Sequence, residues 1–407
     1  MGVLLHSYTE FWIPGAGGYA GSRNGVMLWP TSDSFHTWIS TMDMHLFSAG
    51  PSVEIDATPS YLSDYREMYR QNGRDAGLQW FRDARYGLSL SYGLYSLLGR
   101  HECVQSLERI PVSEYAKLKD RFEAEHFNAM EIVEFAIACG MRYITITARH
   151  HDGFCLFNSM HTDFTSAQSP ARRDLVAELS VACEWHGIGL CLCYSHGRDW
   201  RHPHAPNNGD WGGEARPAYD PPEPSYAYGA EHRLEEYLDF MRNQIHELLT
   251  GYGPIAAIWL DGIDVPLSGD RSRFACQDLY DMVHSLQPQV LVAYRQGLLG
   301  TEDFVSAEHG LVPGIDSPAG HDDVPDDHGK PLEICATMSP GSWGYRSEAR
   351  GKHLSEEQVW QTLTEACEHG ANLLLNTGPL PDGSMDPEDV AVMLEVGRRI
   401  ETQGFPR

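Results

Sequence analysis

From about Tyr86 onward the chain alternates between two hydrophobic periods. Short apolar runs rich in β-branched residues read as strands, and longer stretches with apolar positions three and four apart read as helices. "YGLSLSYGLYS" predicts a first strand and "AMEIVEFAIACG" a helix, with Ile132, Phe135, Ala136 and Cys139 on one face and Gly140 as its stop. "RYITITARHH" predicts the second strand. "RDLVAELSVACEWHG" predicts a helix capped at Asp174 and stopped at Gly187, and "IGLCLCYS" the third strand. A long helix over "AEHRLEEYLDFMRNQIHELLTGYG" leads to "PIAAIWLDG", and the helix "RFACQDLYDMVHSLQP" to "VLVAYRQG". "DFVSAEHG" and "PLEICATM" are candidates for the sixth and seventh strands. After the helix "EEQVWQTLTEACEHG", "ANLLLNTG" is the eighth. Strand–helix alternation of this length predicts an α/β fold with a parallel sheet, and about eight strands predict a (β/α)8 TIM-like barrel. A doubly wound sheet is the runner-up. It loses ground because no glycine-rich phosphate motif follows the first strand.

Two regions fall outside the alternation. Residues 1–74 are rich in Gly, Ser, Trp and Phe and end in the helix-like "YLSDYREMYRQNG". They read as an N-terminal extension, an arm packing on the barrel or on a second subunit of a homo-oligomer. Residues 75–407 read as the catalytic domain. Within it, 197–230 form a Pro/Gly/aromatic loop far longer than an ordinary strand–helix connection, and loops of that length tend to be functional.

Composition narrows the function classes. With 407 residues the chain can hold one large domain or two ordinary ones. No run approaches the roughly 18 apolar residues of a membrane span. A formal net charge of −27 argues against nucleic acid or an anionic membrane as a partner. Nine cysteines form no C-x-x-C pair, and the N-terminus carries no basic leader. A reducing, cytoplasmic setting is therefore expected.

The strand ends carry the chemistry. In a barrel the C-terminal strand ends share one mouth. The second strand delivers His150 and His151 there. The third delivers Tyr194, with Trp200 and His202 just beyond; the fourth delivers Trp259 and Asp261, the fifth Arg295, the sixth Glu308 and His309, and the eighth Asn376. Planar polar groups suit sugar hydroxyls, aromatic faces suit C–H faces, and two acids suit glycoside hydrolysis, so a carbohydrate substrate is expected. Asp261 reads as nucleophile and Glu308 as acid/base. Glu333, in "PLEIC", competes for the second role, though its apolar flanks also fit a buried structural ion pair. Trp259 and Trp343 fit either core or ligand contact. His202 and His204 in "HPHAP" lack a carboxylate partner, so no metal and no cofactor is expected.

"RHHDGFCLF", "RRDLVAELSVAC", "IAAIWLDG", "GSWGY" and "ANLLLNTGPLPDG" together resemble the α-L-fucosidase family, glycoside hydrolase family 29, from about Trp80 to the C-terminus. The resemblance implies a barrel-like domain and a retaining exo-glycosidase working by double displacement on a fucose-like terminal sugar. It places the nucleophile on Asp261, in W-x-D, and the acid/base on Glu308. Sugar contacts fall on His150, His151, Tyr194, Arg295 and the retained Glu102. Family members often carry a C-terminal β-domain, which this chain is not expected to hold. Where the family has a histidine before an aromatic-Gly pair, this chain has Ser91; where it has Glu-Trp, this chain has Glu102-Cys103. Those departures leave a second reading, a diverged barrel with altered sugar specificity or lost hydrolysis, acting as a glycoside-binding or tailoring protein.

Overall fold

The computed structural model describes residues 58–295, 297–308 and 329–406, all within one unit, Thr58–Arg407. Eight parallel strands make one sheet: β1 Tyr86–Leu90, β2 Tyr143–Arg149, β3 Gly189–Ser195, β4 Ala257–Asp261, β5 Leu291–Ala293, β6 Val305–Glu308, β7 Leu332–Thr337 and β8 Ala371–Thr377. The order is β5-β4-β3-β2-β1-β8-β7-β6, so first and last strands pair. The remaining seam, β5 to β6, is stitched by backbone hydrogen bonds from Asp303 N to Val292 O (2.8 Å) and Ser306 N to Arg295 O (2.9 Å). The result is the (β/α)8 barrel that the alternation predicts.

Strand alternation sorts the apolar residues into two cores. Leu88, Ile144, Ile146, Leu192, Ile258, Val292 and Leu375 face outward, against the helices Ala129–Ala138, Leu175–His186, Leu234–Gly251, Cys276–Leu286, Glu356–Glu368 and Pro387–Gln403. Tyr143, Cys191, Ala257, Trp259, Leu291, Ala293, Cys335 and Leu374 belong to a second cluster, which fills the interior. Trp80 and Phe81, from the helix Gly73–Ala84, join that cluster beside Tyr143 and close the N-terminal end of the barrel. Asp174 caps its helix through Ala177 N, and Gly187 ends it in the left-handed conformation, both as predicted. Phe135 is only half-buried; Val133 takes its expected place in the core. No helix among the described residues separates β5 from β6.

Of the region expected to form an extension, residues 1–57 lie outside the described residues. Ser60–Tyr65 and Arg66–Gln71 are helical turns, and Tyr61 packs edge-on against Trp80 at 4.6 Å. No described helix is long and apolar enough to cross a membrane.

Candidate active site

A cavity of about 180 Å³ opens among the C-terminal strand ends. Its floor is the inward set of the strands: Ser89, Thr145, Thr147, Cys193, Trp259, Cys335 and Leu374. The connection after β1 supplies Ser91, Tyr95, Glu102 and Cys103. The connections after β2, β3, β5 and β7 supply His150 and His151, Arg198, Arg295, and Trp343.

Asp261 ends β4 inside this cavity, with only 9% of its surface exposed. Its backbone is clamped, because Asp261 O accepts from His196 N (3.0 Å) and Gly197 N (2.9 Å). A Cβ on Gly197 would lie 2.1 Å from Gly262 O, and Gly262 has φ +84°, so the two connections cross where only glycine fits. One carboxylate oxygen, Oδ1, accepts from Gly262 N (2.6 Å) and from Arg295 (3.0 Å). The other, Oδ2, lies 3.5 Å from His151 Nε2. Burial pushes this carboxyl up. The Arg295 guanidinium more than reverses that and holds it well below the usual carboxylate range. Asp261 is therefore an ionised, fixed carboxylate with one oxygen free of tight hydrogen bonds among the described residues.

The His151 imidazole is held from behind. His151 Nδ1 lies 2.5 Å from Ser195 Oγ, and Ser195 Oγ donates to Arg198 O at 2.8 Å. The Ser195 proton being committed, His151 donates through Nδ1 and presents Nε2 toward Asp261. Burial, with His150 next, holds His151 well below its ordinary pKa, hence neutral. The opposite wall hangs on Glu102, whose Oε2 accepts from Ser342 Oγ (2.9 Å), Trp343 N (3.0 Å) and Gly344 N (3.2 Å). Asn376 accepts from Ser91 Oγ (2.7 Å) and donates to Trp343 O (2.7 Å). Glu102 and Asn376 thus fix where the Trp343 indole stands.

Of the predicted site residues, the fold brings together Asp261, His150, His151, Trp259, Arg295, Glu102 and Trp343. Two are corrected. Tyr194 is fully buried outside the cavity, donating to Gln244 (2.7 Å) beneath the Arg149 guanidinium. It lies between Cys193, which faces inward, and Ser195, so alternation turns it the other way. Trp200 is buried behind the imidazoles, its ring 5.2 Å from that of His151, and it supports the pair rather than lining the cavity. Glu308 ends β6 with its backbone paired to Cys335, a cavity residue; its side chain and His309 lie outside the described residues. Glu333 is not among the residues lining the cavity and makes no ion pair among the described residues. Buried inside the barrel, it accepts from Tyr143 OH (2.7 Å) and Ser306 Oγ (2.8 Å), and burial raises its pKa. His202 stacks on Phe240 and His204 pairs with Glu236 at 3.0 Å.

Arg198 and Ser195 were not among the predicted residues. Ser195 was readable two positions past Cys193. Arg198 lies in a loop without a period and gave no signal beyond adjacency.

A parallel barrel whose mouth gathers a fixed carboxylate, imidazoles, guanidiniums and indoles around a small cavity has the architecture of a carbohydrate-active barrel. The sequence model for α-L-fucosidase matches residues 56–404, and the chain belongs to that family. α-L-fucosidase 1 of Arabidopsis thaliana is 28% identical over 67% of this chain and 51% of its own length. The tissue α-L-fucosidase of Rattus norvegicus is 26% identical over 80% and 68%. The chain thus spans about half the length of the plant relative. Among solved structures, α-L-fucosidase isoenzyme 1 from Paenibacillus thiaminolyticus superposes with TM-score 0.70 at 33% identity, covering 82% of this chain and 77% of that one. α-L-fucosidase AlfC from Lactobacillus casei, in complex with α-L-fucose, superposes with TM-score 0.68 at 28% identity, covering 80% and 98%.

Proposed function

We propose that the protein is a retaining exo-glycosidase that removes an α-L-fucose-like terminal sugar. The observation that carries this reading is Asp261, a buried carboxylate kept ionised by Arg295 and aimed into a cavity sized for one ring rather than a chain. The free oxygen, Oδ2, attacks the anomeric carbon as the glycosidic bond breaks, and Glu308 gives its proton to the leaving oxygen. Water then attacks the glycosyl–Asp261 ester. Glu308 takes the water's proton, the ester bond breaks, and the carboxylate is restored. Gly262 N and the Arg295 guanidinium hold Oδ1, so the attacking carboxylate cannot rotate between the two steps.

The sugar lies against Trp343 and Trp259, with its hydroxyls reaching His150, His151 and Arg198. Ser91 and Cys103, small residues in the wall, set which fucose-like ring fits. Structures of AlfC with 4-nitrophenyl-α-L-fucopyranoside and with Fuc(α1,6)GlcNAc support an α-L-fucoside as the bond broken. A reducing, cytoplasmic location is supported by the nine cysteines, all free thiols.

Hydrolysis of 4-nitrophenyl α-L-fucopyranoside tests the assignment. Asp261→Asn should lower kcat about 10³-fold or more. Proton NMR of the first product should show retained anomeric configuration. Equal turnover by Asp261→Asn, or a first product of inverted configuration, removes the mechanism.

A further inference from the structure

Cys103, His150 and His151 meet on one wall of the cavity. One ligand atom from each, a sulfur and two ring nitrogens, lie within 4.8 Å of one another. Tetrahedral zinc, with bonds of about 2.0–2.3 Å, holds its ligands about 3.5 Å apart, so side-chain rotation of about 1 Å closes the set. The three carry the marks of ligands. His150 Nδ1 is buried without a hydrogen-bond partner among the described residues. His151 has Nδ1 fixed on Ser195 Oγ at 2.5 Å, which leaves Nε2 directed inward, the way an outer partner orients a metal-bound imidazole. A second group, His101, Glu102 and Cys103, shares the thiol but is already committed. His101 Nδ1 accepts from Cys103 N at 3.0 Å, and Glu102 holds the Trp343 segment.

We propose that this wall is a binding site for a thiophilic divalent cation of the zinc class, held by Cys103 Sγ and one nitrogen each of His150 and His151. Its occupancy excludes the sugar, which rests on the proposed function. A thiolate and two imidazoles select zinc or cadmium over magnesium or calcium. Arg198 and Arg295 on the facing walls oppose a cation, while Asp261 and the thiolate offset them, so the site is a reversible one rather than a permanent metal centre.

Cadmium is the direct probe, because its bond to a thiolate absorbs in the ultraviolet. The wild-type chain should take up one equivalent of Cd²⁺ with that absorption, and one of Zn²⁺ by equilibrium dialysis. Cys103→Ser should abolish the absorption, His150→Ala should weaken uptake at least tenfold, and Cys193→Ser, another cavity thiol, should change neither. Circular dichroism confirms that each variant folds. No uptake by the wild type, or full uptake by folded Cys103→Ser, overturns the site. Zn²⁺ should raise the KM for the aryl fucoside, and α-L-fucose should displace Cd²⁺. Uptake without any fucoside turnover sinks the glycosidase reading and leaves the cation site standing. Turnover unaffected by saturating Zn²⁺ overturns the exclusion.

Discussion

Asp261 sits where two electrostatic pressures oppose each other. Burial favours the neutral acid, and the Arg295 guanidinium at 3.0 Å favours the carboxylate and wins. Asp261 is then ionised throughout any working pH range, and the acid limb of kcat/KM does not come from it. In Arg295→Gln the largest charge opposing burial is gone, so the Asp261 pKa rises until Asp261 itself supplies the acid limb, which then lies at higher pH. The expected displacement is roughly one unit or more, with a lower plateau. A pH profile of kcat/KM on the aryl fucoside checks this, and an unmoved limb removes Arg295 as the controlling charge. The residue itself was legible because an apolar run ending in Trp-Leu-Asp can only be a buried strand that stops at a charge. Tyr194 adjoins the same kind of strand end without facing the mouth. Counting in twos from Cys193 assigns it to the outer face. Arg198 could not be counted at all, since a loop has no period.

Arg149 shows how elements hold one another. The register between β2 and β3 shifts between Thr147 and Arg149, and the guanidinium ends up fully buried beside the long loop 197–230. It donates to Asp199 (2.8 Å) and to Ser195 O (2.5 Å), and stacks on Tyr194. Asp199 in turn accepts from Arg201 N and His202 N, both at 2.8 Å. The pair ties the loop that carries Arg198 and Trp200 to the strand that carries the imidazoles. Removing one partner leaves a buried charge, and the two removals are not equivalent. Asp199→Ala strands the guanidinium and two backbone amides and should cost about 3–5 kcal/mol. Arg149→Met leaves Asp199 with both amides and should cost less. Denaturant unfolding of both variants measures the difference, and equal losses would mean the loop amides contribute nothing. The long loop could be read from its Pro and Gly, but its tether could not, because the partners lie 50 positions apart. The helix Gly73–Ala84 was hidden for a related reason. Gly77 weakens its local helix signal, and the fold needs it there, since a Cβ would lie 2.5 Å from Gln289 O.

At the scale of the molecule, the net charge of −27 and the local charge of the cavity pull opposite ways on an anionic substrate. Arg198 and Arg295 line the pocket, but each is paired, Arg198 with Asp264 and Arg295 with Asp261. Their field is therefore short-ranged, and an approaching ligand meets the acidic surface first. Take two aryl α-L-fucosides that differ only in a carboxylate on the aglycone. At about 0.01 M salt the field reaches about 30 Å, and the charged compound should show the higher KM. At about 0.15 M it reaches about 8 Å, and the KM of the charged compound should fall severalfold while that of the neutral one stays put. If the guanidiniums governed capture instead, added salt would raise the KM of the charged compound. The sign of the salt effect on that one compound decides whether the surface or the cavity selects the aglycone.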